Sequence, residues 1–213
     1  MPATVHGASV LVLPDSRGLS GFYEALCVRL AEQGHPALAI DYFGRTAGAE
    51  TRERDADFPW LEHIRQASRE TLFADFHAGI AALRTEPDVA VAVLGFCFGG
   101  RQAFLTADAE FGVSAAIGFY GFPGELFGAA GPTQLAAGLT APVLGLFGGA
   151  DEHIKAEHVA EFETALDANQ VRHEMVTYPG MPHGFFDDPS GELDEAWAEA
   201  CQDAWRRVLE FLR

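Results

Sequence analysis

The stretch Val91-Ala92-Val93-Leu94-Gly95-Phe96-Cys97-Phe98-Gly99-Gly100 decides the fold class. Its first half is a continuous apolar run, the pattern of a strand covered on both faces. Its second half has the form G-x-C-x-G and leads into a helix. A residue on so sharp a strand-to-helix turn has a strained backbone, and strand and helix pass close together two residues on either side. Side chains at 95 and 99 would collide there, so both positions require glycine. With 23 Gly and 3 Cys in the chain, chance supplies about 0.04 such matches.

Working outward, similar short apolar runs occupy 8–13, 37–40, 113–119 and 143–147. The run 171–177 instead sets Val171, His173 and Met175 against Arg172 and Glu174, which predicts a strand nearer an edge. Helical stripes lie between these runs: Leu72, Phe76, Ile80 and Leu83, then Trp197, Cys201, Trp205, Val208 and Leu212. A further helix starts near Ser20 and is stopped by Gly34 and Pro36. Strand and helix alternating in this way predict a single α/β domain, a mostly parallel sheet with helices on both faces.

Composition narrows the function classes. The 213 residues are 48% hydrophobic and 21% charged, enough apolar material for a substantial core. The formal charge of −17 repels phosphate backbones and anionic lipid, so neither nucleic acid nor membrane is an expected partner. Residues 127–150 carry no charge, but Pro132, Pro142 and several glycines break them into loop, short helix and buried strand rather than a span. Three cysteines, Cys27, Cys97 and Cys201, do not make a disulfide framework and point to a reducing, cytoplasmic setting. Residues 1–7 lack Lys and Arg, so no targeting signal is expected there.

Cys97 stands at the N-terminus of the next helix, where the dipole favours a thiolate. Such a nucleophile needs a base, and the base an orienting acceptor. Asp151 follows the strand at 143–147 through Gly148-Gly149, and His183 lies in the Pro/Gly-rich loop 178–185 after the next strand. Both fall at the carboxyl end of the sheet, in the order nucleophile, acid, histidine. Glu152 is the neighbouring rival to Asp151. The remaining histidines read as packed or solvated; His153 and His158 are expected in a helix after Asp151. Cys27 and Cys201 read as helix packing. No H-E-x-x-H spacing points to a metal, and no C-x-x-C supplies a redox partner.

With those residues in view, the sequence resembles the dienelactone hydrolase family of the α/β-hydrolase superfamily. The anchors are Gly95–Gly100, Gly118-Phe119-Tyr120-Gly121, Phe147-Gly148-Gly149-Ala150-Asp151, the 178–185 loop, and Ala39-Ile40-Asp41-Tyr42-Phe43-Gly44-Arg45. The resemblance implies a cap-less hydrolase domain over 1–213 with a Cys97–His183–Asp151 triad and no metal or organic cofactor. It implies an oxyanion hole from the backbone N–H groups of Phe98 and, in the loop after the first strand, Ser16. Asp15 stands where the family carries a glutamate that contacts the resting nucleophile, one methylene shorter here. Tyr120 matches a family tyrosine near the site.

The family's namesake enzymes hold a lactone carboxylate with arginines, one shortly after the histidine. Here that stretch reads Phe186-Asp187-Asp188, an acidic pair that would repel a carboxylate. Phe96, Phe98, Phe122, Phe185 and Phe186 instead predict an apolar pocket for neutral esters or lactones. The expected activity is therefore hydrolysis of a small ester or lactone through an acyl-thioester, by a monomer or small homo-oligomer. The alternatives are a non-catalytic binding or sensory relative and a redox-active cysteine protein.

Overall fold

The structure is a computed structural model that describes residues 7–48, 54, 58–187 and 194–213. Six strands form one wholly parallel sheet: β1 (Ser9–Leu13), β2 (Ala37–Ala39), β3 (Val91–Phe96), β4 (Ala115–Phe119), β5 (Val143–Gly148) and β6 (His173–Tyr178), in the order β2-β1-β3-β4-β5-β6. All six runs expected to be strands are strands, and the alternating one, β6, is an edge. His153, expected in a helix after Asp151, lies in the loop before it. The helix after Asp151 begins only at Ala156, with His158 Nδ1 accepting from the Lys155 N–H at its start.

The helices are α1 (Gly21–Glu32), α2 (Gly44–Ala47), α3 (Trp60–Gln66), α4 (Arg69–Leu83), α5 (Phe98–Leu105), α6 (Ala156–Ala168) and α7 (Glu195–Phe211). The alternation of strand side chains divides the core between the two faces of the sheet. Val10, Val12, Ala92 and Leu94 pack with Tyr23, Leu26 and Leu30 of α1 and Val208 of α7. Leu11, Leu13, Val91 and Val93 pack with Leu72, Phe76 and Ile80 of α4. The stripe read from α4 is thus its buried face. In α7 the buried positions are Ala200, Ala204 and Val208, with Trp197, Cys201 and Trp205 flanking them partly exposed.

No separate helical cap stands over the carboxyl edge of the sheet among the described residues, and no helix among them is long and apolar enough to cross a membrane. The topology itself marks the site. From β1 the chain moves outward to β2, then returns across β1 to β3. The loops leaving β1 and β3 therefore diverge at a switch point, where open parallel sheets bind their ligands.

Candidate active site

Cys97 sits at that switch point with φ 50° and ψ −110°, a backbone conformation that a non-glycine residue adopts only under constraint. Its N–H donates to the Phe119 carbonyl at 3.0 Å, which ties the turn to β4. A Cβ on Gly95 would lie 2.0 Å from the Gly99 carbonyl oxygen, the close strand–helix passage expected from the sequence. The constraint on Gly99 is different from the expected one: its Cβ would lie 2.1 Å from the Leu13 carbonyl of β1. Glycine at 99 thus lets the start of α5 press against the loop leaving β1. That contact sets the first turn of α5, which begins at Phe98, against the backbone of Leu13 and Pro14. The Phe98 N–H is the first of its helix and has no acceptor inside it.

His183, in the loop after β6, has Nδ1 2.7 Å from Asp151 Oδ2. Asp151 is buried, and its other oxygen accepts the N–H groups of His153 at 2.8 Å and Ile154 at 3.0 Å. Burial alone would raise this carboxyl, but the His183 bond and those two N–H groups hold it below its usual value. Glu152 is exposed, so Asp151 is the acid that meets the histidine. Burial disfavours the His183 cation. The bond to Asp151, with a hydrogen bond and charge interaction from Cys97, outweighs that and raises its pKa to about 10. His153 is exposed, as expected, and its ring meets the His183 ring edge-on at 5.6 Å.

The loop after β1 is strapped from several directions. Tyr42 O–H donates to the Pro14 carbonyl, and the Asp15 N–H donates to Tyr23 Oη at 2.9 Å. Asp15 gives both carboxylate oxygens to Arg17: the backbone N–H at 2.8 Å on one, and the guanidinium at 2.6 Å on the other. Its short side chain therefore closes its own loop, and Arg17 is a site cation that the sequence reading passed over. The Asp15–Arg17 spacing of two residues was the available signal.

Tyr120 is fully buried, with φ 37° at the end of β4 and its ring 5.0 Å from that of His183. It is both a packed strand-end aromatic and a neighbour of the base. Its hydroxyl donates to Asp187 Oδ1 and accepts the Asp187 N–H at 3.2 Å. Tyr23 O–H donates to Asp187 Oδ2 at 2.7 Å. Asp187 is thus drawn in between two tyrosines rather than standing free. Burial raises its carboxyl to about 6, against the lowering effect of those hydrogen bonds. Asp188, its expected partner in repelling anions, lies outside the described residues.

The phenylalanines divide between the core and the partly exposed surface. Phe96 and Phe185 are fully buried, so both belong to the core and offer no lining surface. Phe96 follows Ala92 and Leu94 on one face of β3 and stacks on Phe119 at 4.9 Å. Phe185 packs on Tyr178 at 5.3 Å, and its carbonyl accepts from Trp197 Nε1 at 2.7 Å. Phe98, Phe122 and Phe186 remain partly exposed. Phe22 meets Phe186 edge-on at 6.4 Å. Arg101, one turn into α5, is buried and holds the loop after β4 through the carbonyls of Phe122 at 2.9 Å and Gly124. Among the described residues no group of three or more His, Cys, Asp or Glu side chains is arranged to hold a metal.

A cysteine thiol on a strained turn, a carboxylate-bound imidazole and two adjoining backbone loops on a cap-less parallel sheet form the frame of an α/β-hydrolase. The family model described as "Dienelactone hydrolase family" matches residues 1–213. The chain belongs to the dienelactone hydrolase family. It is 34% identical over 206 residues to a Yersinia pestis protein named "Putative carboxymethylenebutenolidase", covering 95% of this chain and 76% of that one. It is 31% identical over 212 residues to the carboxymethylenebutenolidase of Rhodococcus opacus, covering 98% and 81%. A solved structure named "Putative Dienelactone Hydrolase", from Klebsiella pneumoniae, superimposes with a TM-score of 0.85 at 28% identity, covering 99% of this chain and 88% of that one. As a dienelactone hydrolase family member, the protein is a carboxylic ester hydrolase acting on small esters or lactones.

Proposed function

We propose that the protein cleaves neutral small esters or lactones by acyl transfer to Cys97, with His183 as acid and base and Asp151 as its orienting partner. The observation that carries this reading is the 2.7 Å bond between His183 Nδ1 and Asp151 Oδ2, with Cys97 on the strained turn at the start of α5. Against the lowering effect of burial, the bond to Asp151 raises His183 to about 10, basic enough to take the Cys97 proton for attack on the carbonyl.

The thiolate attacks the substrate carbonyl, and the oxyanion forms between the N–H groups of Phe98 and Ser16. His183 gives its proton to the departing alkoxide, leaving an acyl-thioester on Cys97. The now neutral imidazole takes a proton from water as the water attacks the thioester. Collapse of the second oxyanion expels the thiolate and releases the acid. Asp151 fixes Nδ1 as the protonated nitrogen and stabilises the cation at both ends of the cycle. Phe22, Phe98, Phe122 and Phe186 give the pocket apolar walls, and Asp187 disfavours anionic acyl groups. The reading is tested with Cys97→Ala on short p-nitrophenyl esters: a folded, inactive variant supports it, and an active one defeats it.

A further inference from the structure

The two loops that this mechanism brings together, 14–18 with an oxyanion donor and 183–187 with the base, are far apart in the chain. Asp187 and Tyr23, 164 residues apart, join them directly. The Tyr23 hydroxyl donates to Asp187 Oδ2 at 2.7 Å and accepts the Asp15 N–H at 2.9 Å. Asp15 N belongs to the residue immediately before Ser16, so this bond sets the position of the peptide that precedes the donor. On its other side Asp187 is held by the Tyr120 hydroxyl, which also accepts the Asp187 N–H. Each phenol therefore donates once to the carboxylate and accepts once from a backbone N–H.

Only an acceptor with two free oxygens at 187 completes this pattern. Tyr23 and Tyr120 are 1% and 0% exposed, so water does not replace a lost acceptor. With asparagine at 187, its oxygen could still take the Tyr120 proton. Its amide would then face a Tyr23 hydroxyl that already accepts one N–H, and the Tyr23 proton would have nowhere to go. Arg17 and Asp15 are the charged groups facing Asp187 from the loop after β1. Asp15 is committed to Arg17, so neither provides Tyr23 with a substitute acceptor.

We propose that Asp187 is a positioning residue for ester cleavage: acting through Tyr23, it fixes the Pro14–Asp15 peptide and thereby aims the Ser16 N–H of the next peptide at the developing oxyanion. The proposal rests on the acyl-transfer reading above and deepens it. It concerns the oxyanion rather than the nucleophile, so two reactions of Cys97 separate the roles. Ester cleavage passes through an oxyanion. Alkylation of the same thiolate by iodoacetamide does not.

The experiment compares wild type, Tyr23→Phe, Asp187→Asn and the double variant. It measures kcat and KM with p-nitrophenyl acetate, and the iodoacetamide rate at the Cys97 peptide by mass spectrometry. Each single variant should lose about ten- to a hundredfold in kcat, the range set by loss of part of an oxyanion hole. KM should stay within about twofold. The alkylation rate should stay at the wild-type value, which also shows an intact fold. The double variant should be no slower than the slower single one, because both changes break one connection. Unchanged kcat in both single variants, alkylation that falls in step with kcat, or losses that multiply in the double variant would each overturn the proposal. Failure of the underlying reading looks different: Cys97→Ala would keep its esterase activity whatever residue stands at 187.

Discussion

His183 Nδ1 and Asp151 Oδ2 lie 2.7 Å apart, and Asp151 Oδ1 is bound separately by two backbone N–H groups. The two oxygens thus have different tasks: one anchors the carboxylate to its loop, the other fixes the imidazole. Asp151→Asn keeps the loop contacts through its remaining oxygen but turns a donor toward Nδ1. The wrong tautomer is then favoured, and kcat for p-nitrophenyl acetate should fall by about ten-thousandfold with little change in KM. Steady-state kinetics on the folded variant checks this.

The same pair predicts a pH dependence of stability. His183 is raised from 6.5 to about 10, so the folded protein keeps a proton that the unfolded chain releases in that interval. Its contribution is complete below pH 6.5 and is lost as pH rises through 10. Asp151 is lowered, so its contribution is present above its ordinary pKa near 4 and fades as pH falls below that. Urea midpoints should therefore decline between pH 7 and 10 in the wild type and decline less in His183→Gln. An equal decline in both proteins would remove the basis of the imidazolium pair.

Asp187 stands beside the site and is ionised above its pKa of about 6. A carboxylated lactone should therefore be a poorer substrate at pH 8 than its methyl ester. The drop in kcat/KM should be about tenfold or more, since one like charge about 12 Å away near a protein surface already costs that much. Parallel assays of the two lactones measure this directly, and a preference for the anion would refute the selectivity.

Gly99→Ala places a methyl group 2.1 Å from the Leu13 carbonyl, where both partners are backbone and neither yields cheaply. The variant should lose about 3 kcal/mol or more of stability, at the upper end of overpacking effects. Esterase activity should fall with it, since the loop after β1 is displaced. Urea unfolding at neutral pH measures the first effect.

The fold was largely legible in the sequence, because a buried parallel strand and a strained elbow both leave local marks. The run Val91–Phe96 has to be apolar throughout, and Gly95 admits no side chain. The places of Cys97, Asp151 and His183, the residues proposed to react, were legible for the same reason: each follows a recognisable strand end. The network behind them was not. Tyr23 falls in step with Leu26 and Leu30 on α1, so the helical period marks it only as core, and nothing local links it to Asp187. Phe185 could not be told from Phe186, because Tyr178 and Trp197, which cover it, come from β6 and α7. Phe96 was readable in principle, since it shares its strand face with Ala92 and Leu94.

The central claim is that the acyl group passes through Cys97, and rapid-quench mass spectrometry during turnover of p-nitrophenyl acetate tests it most directly. The account predicts an acetyl group on the peptide containing Cys97, appearing with the first burst of nitrophenolate and absent from Cys97→Ala, which releases no product. Steady product release with no acetyl on Cys97, or turnover by the alanine variant, would contradict it.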